Sequence, residues 1–321
     1  MIDGMLYANA ATKAHETAML SADKIVRLTD APDIAAAVRI LTESGYGQNF
    51  VPQHPENYSE MLEREREASA AFVKSVAPAG SGIECFYLIK DYLNLKILFK
   101  KEFFSAEGEL VSGGVYDVEA LKSAVSGAKP EGLSEEINEA VAALLEKRAE
   151  TPSAVDIILD KAYFNEIMRR AKKSRSKLVK AHFTDLIDGK NAVTFIRVKR
   201  AKISEKRFRE LFIEGGSIGI DAYIKVFGED NALNTVLKGS GIASLFQNGS
   251  DDLAAVERNL DDMLFRRIAD ARYDMFSDAP LAYFVFGKEM EIKTVGVILS
   301  AIKNRLSKEE MKVRLRQIYA R

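Results

Sequence analysis

The chain has 321 residues, with 46 basic and 47 acidic side chains and a formal net charge of −1. Such a balanced charge does not indicate a nucleic-acid binder, and no apolar run approaches the roughly 18 residues that a membrane span needs. The single cysteine, Cys85, excludes an internal disulfide and suits a reducing compartment. Residues 1–20 lack the basic start, apolar middle and cleavage site of a signal peptide, so none is expected.

Most of the chain is predicted to be helical. Apolar residues recur at intervals of three and four in 61–74, 255–273 and 289–304, the spacing of an amphipathic helix. Residues 193–203 alternate to some extent, but their counterparts elsewhere favour a helix. Glycine-containing segments separate the helices and are predicted to be turns. These segments are 44–50, 77–82, 112–116, 214–221 and 238–246.

Helix starts are predicted from capping residues. Thr29 and Asp30 stand shortly before a proline, and Thr151 stands directly before another, as residues that cap the first turn often do. Ser307 with Glu310 three positions later has the spacing of a capping box. These positions are expected to begin helices.

One helical pattern occurs three times along the chain, at intervals of about a hundred residues. An acidic amphipathic stretch and a polar stretch that runs into apolar residues are found in every copy. The acidic stretches are 61–74, 154–172 and 255–273, and the polar-to-apolar stretches are 91–100, 188–197 and 288–297. Asn94, Asn191 and Glu291 take matching places in the second set. The polar residues are predicted to open apolar helices, so we expect them to cap these helices or to form hydrogen bonds inside the fold.

The repeat predicts an all-α protein with three helical domains: 1–105, which includes an N-terminal helix, 106–205 and 206–321. A chain that repeats one helical unit usually builds a shape, which favours a scaffold over a catalyst. The two glycine segments 112–116 and 214–218 follow the first and second polar stretches in the same way. The turns therefore repeat together with the helices.

No catalytic or metal-binding motif is complete. Residues 215–219 match the G-x-S-x-G pattern of a hydrolase nucleophile, but that motif needs a preceding strand and a later histidine. The last histidine, His182, lies upstream, so this segment is predicted to be a glycine turn. His15 and His54 are also isolated, so no zinc site is predicted. We expect no catalytic residue, no cofactor and no metal.

The strongest local charge is basic and lies in 169–180, followed by 197–209. Such runs can bind nucleic acid, an acidic lipid surface or an acidic protein, or they can be a solvated helix face. The docking interpretation assigns a patch to Arg169, Arg170, Lys172 and Lys173. The alternative function for the whole chain is a helical nucleic-acid-binding protein that uses the basic region 169–209.

Four passages distributed from end to end resemble one known family. They are 7–20, 41–47, 91–100 with its second copy, and 288–315. In their order and spacing the chain resembles the C subunit of prokaryotic V-type/A-type ATPases, a family that includes the d subunit of the eukaryotic V-ATPase.

This resemblance implies a funnel of three related helical bundles around a pseudo-threefold axis. It also implies a non-catalytic rotor component, a socket that couples the central stalk to the membrane proteolipid ring during ATP-linked H⁺ or Na⁺ transport. The implied partners are stalk proteins of the D and F type and the ring. The implied location is peripheral, at the cytoplasmic face of the membrane, without direct insertion or nucleic acid.

Overall fold

The computed structural model describes residues 2–48, 50–229, 232–246, 252–308, 310–311 and 315. Within these ranges all regular structure is helical, which confirms the predicted all-α class. The α-helices are α1 (Ile2–Glu16), α2 (Ala22–Thr29), α3 (Ile34–Glu43), α4 (Tyr58–Val76), α5 (Leu88–Phe104), α6 (Val118–Val125), α7 (Glu135–Glu146), α8 (Pro152–Lys173), α9 (Lys177–Arg200), α10 (Glu205–Leu211), α11 (Ile220–Lys225), α12 (Leu233–Leu237), α13 (Leu253–Ala271) and α14 (Ala279–Lys303). None of the described helices combines the length and apolarity that crossing a membrane requires.

The chain divides into two compact units. The first contains Met1–Ala79, Val111–Val115 and Ala271–Arg321, and the second contains Gly80–Leu110 and Tyr116–Asp270. These units are defined by packing, whereas the predicted repeats are defined by sequence similarity. The predicted boundaries at 105/106 and 205/206 stay a prediction.

In the first unit, α14 packs against helices from the N-terminal part of the chain. It lies along α4 and α1 and also touches α2 and α3. Leu41, Met61 and Val295 are completely buried in the core that these helices share. The two ends of the sequence therefore build one hydrophobic core, and its burial is the main term that holds them together.

The second unit contains a four-helix group, α5 to α8. α5 and α7 both pack along α8, and α6 packs on α5. Tyr92 and Phe99 of α5 and Phe164 of α8 are almost fully buried between them. The predicted amphipathic stretch 154–172 is confirmed as a helix.

The same unit continues with α9, which packs against the segments that follow it. Ala192, Val193 and Ile196 of α9 form one apolar cluster with Leu260 and Leu264 of α13. A second cluster on α9 is aromatic and contains Phe195, Phe208, Phe212 and Tyr223. α9 carries two apolar stripes because two clusters cover it. Of the predicted helical stretch 193–203, residues 193–200 are helical, and 201–203 follow the end of α9.

The predicted helix starts were right at two positions and wrong at one. Thr151 caps α8 by accepting a hydrogen bond from the Ala154 N–H. Ser307 and Glu310 exchange the reciprocal hydrogen bonds of a capping box. Thr29, however, is the last residue of α2, and Asp30 follows that helix as its C-cap. The following helix, α3, is capped instead by Asp33, whose carboxylate accepts from the third N–H of the helix at 2.8 Å.

Candidate functional site

The three long helices α5, α9 and α14 each bury, among other polar side chains, a matching pair three positions apart. The pairs are Asp91 and Asn94 on α5, Asp188 and Asn191 on α9, and Lys288 and Glu291 on α14. Residues at this spacing share one helix face. Asn94 and Asn191 are each 1% exposed and Glu291 is 2% exposed. The sequence placed these residues near helix starts, which was wrong, because the three helices begin earlier, at Leu88, Lys177 and Ala279.

On α9, this polar pair holds the glycine loop that follows α10. Asp188 accepts hydrogen bonds from the backbone N–H groups of Ser217 and Ile218 at 3.1 and 3.2 Å, and also from the Ser217 hydroxyl. Asn191 donates to the Ile213 carbonyl at 2.8 Å and accepts from the Ile213 N–H at 2.9 Å. The loop is therefore fixed on the helix by side chains that water does not reach.

The G-x-S-x-G segment is a glycine turn, as predicted. Gly215 has φ +106°, which favours glycine. A Cβ at Gly216 would overlap the Asp188 carboxylate. The Ser217 hydroxyl donates to that buried carboxylate, so Ser217 helps to hold the loop on α9. Burial raises the pKa of Asp188, while the hydrogen bonds from Ser217 and Ile218 oppose this rise.

On α5, the equivalent carboxylate makes an equivalent contact. Asp91 accepts a hydrogen bond from the Tyr116 N–H at 3.2 Å. Tyr116 takes the same place in 112–116 as Ile218 takes in 214–218, and Gly113, like Gly215, has a positive φ. The likeness between the two glycine segments in sequence thus corresponds to one hydrogen bond that occurs twice.

On α14, the pair has a different composition and binds different segments. Glu291 accepts hydrogen bonds from the Leu20 N–H and from Lys288 Nζ, both at 2.6 Å. Lys288 also pairs with Glu65 of α4, which accepts from the Gly47 N–H at 2.8 Å. Two N-terminal segments, which contain Leu20 and Gly47, are therefore held by this cluster, as the glycine segments are held by the pairs on α5 and α9.

Lys288, Glu65 and Glu291 form one cluster. Burial and ion pairing act in opposite directions on the pKa values of Lys288 and Glu291. Burial alone would lower the pKa of Lys288, but the carboxylates of Glu291 and Glu65 raise it. Burial raises the pKa of Glu291, and the Lys288 ammonium opposes that rise. The lysine is thus held in its charged form between the two carboxylates.

A further buried carboxylate, that of Glu166 on α8, binds several side chains within the second unit. It accepts hydrogen bonds at 2.8 Å from the Tyr92 hydroxyl, the Ser134 hydroxyl and Arg170 Nε. The Tyr116 hydroxyl also donates to it. Burial, reinforced by the Glu166 carboxylate, raises the pKa of Tyr116 to about 12. Glu166 therefore joins α5, α8 and the segments before α6 and α7.

The four residues of the predicted docking patch lie in two different environments. Arg169 pairs with Glu136, and Arg170 pairs with Glu166 and donates to the Tyr116 hydroxyl. Lys172 and Lys173 are exposed at the end of α8. The basic stretch is not one helix, because 174–176 separate α8 from α9. Docking by these residues stays a prediction.

The predicted isolated histidines have separate surroundings. His15 stacks on Phe72 with ring centroids 3.6 Å apart, while His54 is exposed. His182 is buried beside Phe86, and burial lowers its pKa to about 3. Among the described residues, no group of three His, Cys, Asp or Glu side chains is arranged to hold a metal ion.

Sequence reasoning found the second polar residue of each pair but missed the first. It also missed Glu65 and Glu166. The signal for the first residue was present, because Asp91, Asp188 and Lys288 stand three positions before the repeated residues. Glu65 also carried a signal, because it stands among the apolar residues of 61–74 at helical spacing, three positions after Leu62.

Comparison with known proteins places the chain in one family. A model of the ATP synthase (C/AC39) subunit family matches residues 8–314. Over 320 residues the chain is 22% identical to the C subunit of the V-type sodium ATPase of Enterococcus hirae, covering 97% of this chain and 98% of that protein.

Two archaeal proteins match over shorter stretches. The C subunits of the A-type ATP synthases of Desulfurococcus sp. (strain SY) and Thermococcus kodakarensis are 28% and 26% identical over 148 and 170 residues. These matches cover 44% and 50% of this chain and 40% and 46% of those proteins. The resemblance seen in the sequence is confirmed. The chain belongs to the ATP synthase (C/AC39) subunit family.

Proposed function

We propose that this chain is the non-catalytic rotor subunit of a V/A-type ATPase. In this role it is a socket that couples the central stalk to the proteolipid ring of the membrane during ATP-linked transport of H⁺ or Na⁺. The observation that carries the proposal is the family match over residues 8–314. The full-length similarity to the protein from the Enterococcus hirae V-type sodium ATPase supports it.

The buried polar pairs on α9 and α14 fit a subunit that transmits torque. A body that passes a twisting force must keep its segments in fixed positions under load. Asp188 and Asn191 fix a loop on α9, and Lys288 and Glu291 fix N-terminal segments on α14. Hydrogen bonds to buried charged groups hold such segments more firmly than exposed contacts do.

The proposal includes the partners and the location that family membership suggests. The partners are stalk proteins of the D and F type and the proteolipid ring, and the location is the cytoplasmic face of the membrane, bound peripherally. The funnel of three related bundles is part of the same proposal. The chain needs no cofactor or metal for this role, since ATP is hydrolysed or made on other subunits.

Five arginines of the basic region 169–209 already have carboxylate partners within the protein, which argues against the nucleic-acid alternative. Many of its cationic side chains are engaged within the protein. Arg169 pairs with Glu136, Arg170 with Glu166, Arg197 with Glu257, Arg207 with Glu210, and Arg209 with Glu205. Cations that already have carboxylate partners contribute less to phosphate binding.

The test is a tagged pull-down of the full chain from gently solubilised membranes, with mass spectrometry of the bound proteins. We expect stalk and ring proteins of the ATPase to co-purify, and a tagged unrelated cytoplasmic protein serves as the control. Recovery of the chain alone, or with nucleic acid, would contradict the proposed function.

A further inference from the structure

A group of four lysines surrounds the turn between α8 and α9. Lys172 and Lys173 end α8, and Lys177 and Lys180 are the first and fourth residues of α9. All four are exposed. We name this group the lysine turn. None of the four forms an ion pair with any residue that the structure describes, although the stretch 167–184 is the most basic in the chain.

The lysine turn is unpaired because the neighbouring arginines bind the nearby acids. Arg169 pairs with Glu136, and Arg170 pairs with Glu166 and lies 3.7 Å from Glu84. The stretch 167–184 itself contains no acidic residue. The positive charge of the lysines is therefore not neutralised from within this part of the fold.

The turn that carries these lysines is fixed in position. The Arg175 N–H donates to the Gly80 carbonyl at 3.3 Å, and the Ser176 hydroxyl accepts from the Val179 N–H at 2.9 Å. Gly82, at φ +78°, passes so close to Ser174 that a Cβ would lie 2.8 Å from the serine Cβ. The backbone of the turn is thus held by contacts with 80–82 and within the turn, while the four lysine side chains are exposed.

We infer that the lysine turn contacts the anionic headgroups of a lipid surface. None of the large apolar side chains that are exposed in the described chain lies between 167 and 184. Tight protein interfaces are centred on buried aromatic or apolar anchors, and single-stranded nucleic acid is bound with stacked aromatic rings. A cluster of hydrated lysines without such anchors is typical of electrostatic attraction to anionic lipid.

This inference deepens the proposed function and depends on it for the presence of a membrane. A protein that works against a membrane ring would be oriented by such a surface without insertion into the bilayer. The two ideas can fail separately. The pull-down tests the assembly, and vesicle binding tests the lysine turn alone.

The experiment measures binding of the purified full chain to vesicles by co-sedimentation. The vesicles are phosphatidylcholine alone, or phosphatidylcholine with a one-third share of phosphatidylglycerol. The test variant changes Lys172, Lys173, Lys177 and Lys180 to Gln. The control variant changes four scattered exposed lysines, Lys129, Lys147, Lys225 and Lys238, to Gln. Both variants have the same net charge, so only the position of the lost charge differs.

We expect the native chain and the control variant to bind the anionic vesicles at low salt and to bind the neutral vesicles weakly or not at all. The test variant should lose binding by roughly tenfold or more. Melting curves of both variants should match that of the native chain, because all eight side chains are exposed.

Three outcomes would overturn the inference. The first is that the native chain does not bind anionic vesicles, and the second is that both variants lose binding equally. The third is that a duplex DNA or polyglutamate competes for the lysine turn at lower charge concentration than the vesicles. That last result would assign the surface to a macromolecule of another class. Failure of vesicle binding together with co-purification of ATPase proteins would leave the proposed function intact.

Discussion

Glu291 accepts a hydrogen bond from the backbone N–H of Leu20 at 2.6 Å, although 271 positions separate the two residues in the sequence. A carboxylate on the last long helix therefore fixes the segment between α1 and α2. In the other two copies, the polar pair receives a loop that follows its helix in the chain. The third copy is completed by the N-terminal part of the protein.

The buried lysine of this cluster is predicted to be essential for stability. Lys288→Met leaves the carboxylates of Glu65 and Glu291 close together without a cation, so the free energy of unfolding should fall by about 3–5 kcal/mol. Urea unfolding followed by circular dichroism measures the change. The control is Lys308→Met, whose ion pair with Asp30 is 60% and 55% exposed and should contribute about 1 kcal/mol or less.

An equal effect of the two substitutions would contradict this assignment. The combined variant Glu65→Gln, Lys288→Met, Glu291→Gln separates pairing from packing. It removes all three charges, so it should recover part of the stability that Lys288→Met loses, because no buried charge is left without a partner.

Asn191→Leu should lower stability by removing a two-way contact with the backbone. The asparagine both donates to and accepts from Ile213, so a leucine leaves the part-buried N–H and carbonyl of Ile213 without these partners. We expect a loss of roughly 1–3 kcal/mol. The matched control is Asn138→Leu on the exposed face of α7. A melting temperature of Asn191→Leu equal to that of the native chain would show that the loop is held by other contacts.

The sequence predicted local features well and distant ones poorly. The helical class follows from apolar spacing, and the burial of Asn191 follows from its place in a repeated pattern. The contact of Leu20 with Glu291 could not be predicted, because no local preference of either residue points to the other. Glu166 was missed for a related reason. Its neighbours Tyr92 and Ser134 come from other parts of the chain, and only packing brings them together.

Gly216→Ala tests how closely the glycine loop approaches α9. An added methyl group would overlap the buried Asp188 carboxylate, which cannot move without losing its hydrogen bonds to Ser217 and Ile218. We expect a loss of about 1–3 kcal/mol by thermal or urea unfolding. Gly228→Ala is the control, because a methyl group there meets nothing within 4 Å. The loop would have to be looser than described if both variants unfolded at the same urea concentration.

Because of His182, the free energy of unfolding should depend on pH, and a substitution can isolate this contribution. Its ring packs beside Phe86 and Phe183, with centroids 5.1 and 5.0 Å from theirs. Burial lowers its pKa to about 3, and the nearby Arg267 guanidinium acts in the same direction. In the unfolded chain the imidazole has the ordinary histidine pKa of about 6.5. Between these two values the unfolded state binds the extra proton and the folded state does not.

The stability that neutral His182 provides is therefore complete above pH of about 6.5 and is lost as the pH falls toward 3. The loss should be about 1.4 kcal/mol per pH unit, or about 2 kcal/mol at pH 5. His182→Phe keeps a ring in the same place and should remove this part of the slope, whereas His54→Gln, at an exposed position, should leave it unchanged. Urea unfolding of all three proteins at pH 7.5 and pH 5 measures the difference. The prediction is contradicted if the native chain and His182→Phe lose the same free energy of unfolding between pH 7.5 and pH 5. Only a group that titrates differently in the two states contributes to the slope, so that result would mean that His182 takes up a proton within the folded protein.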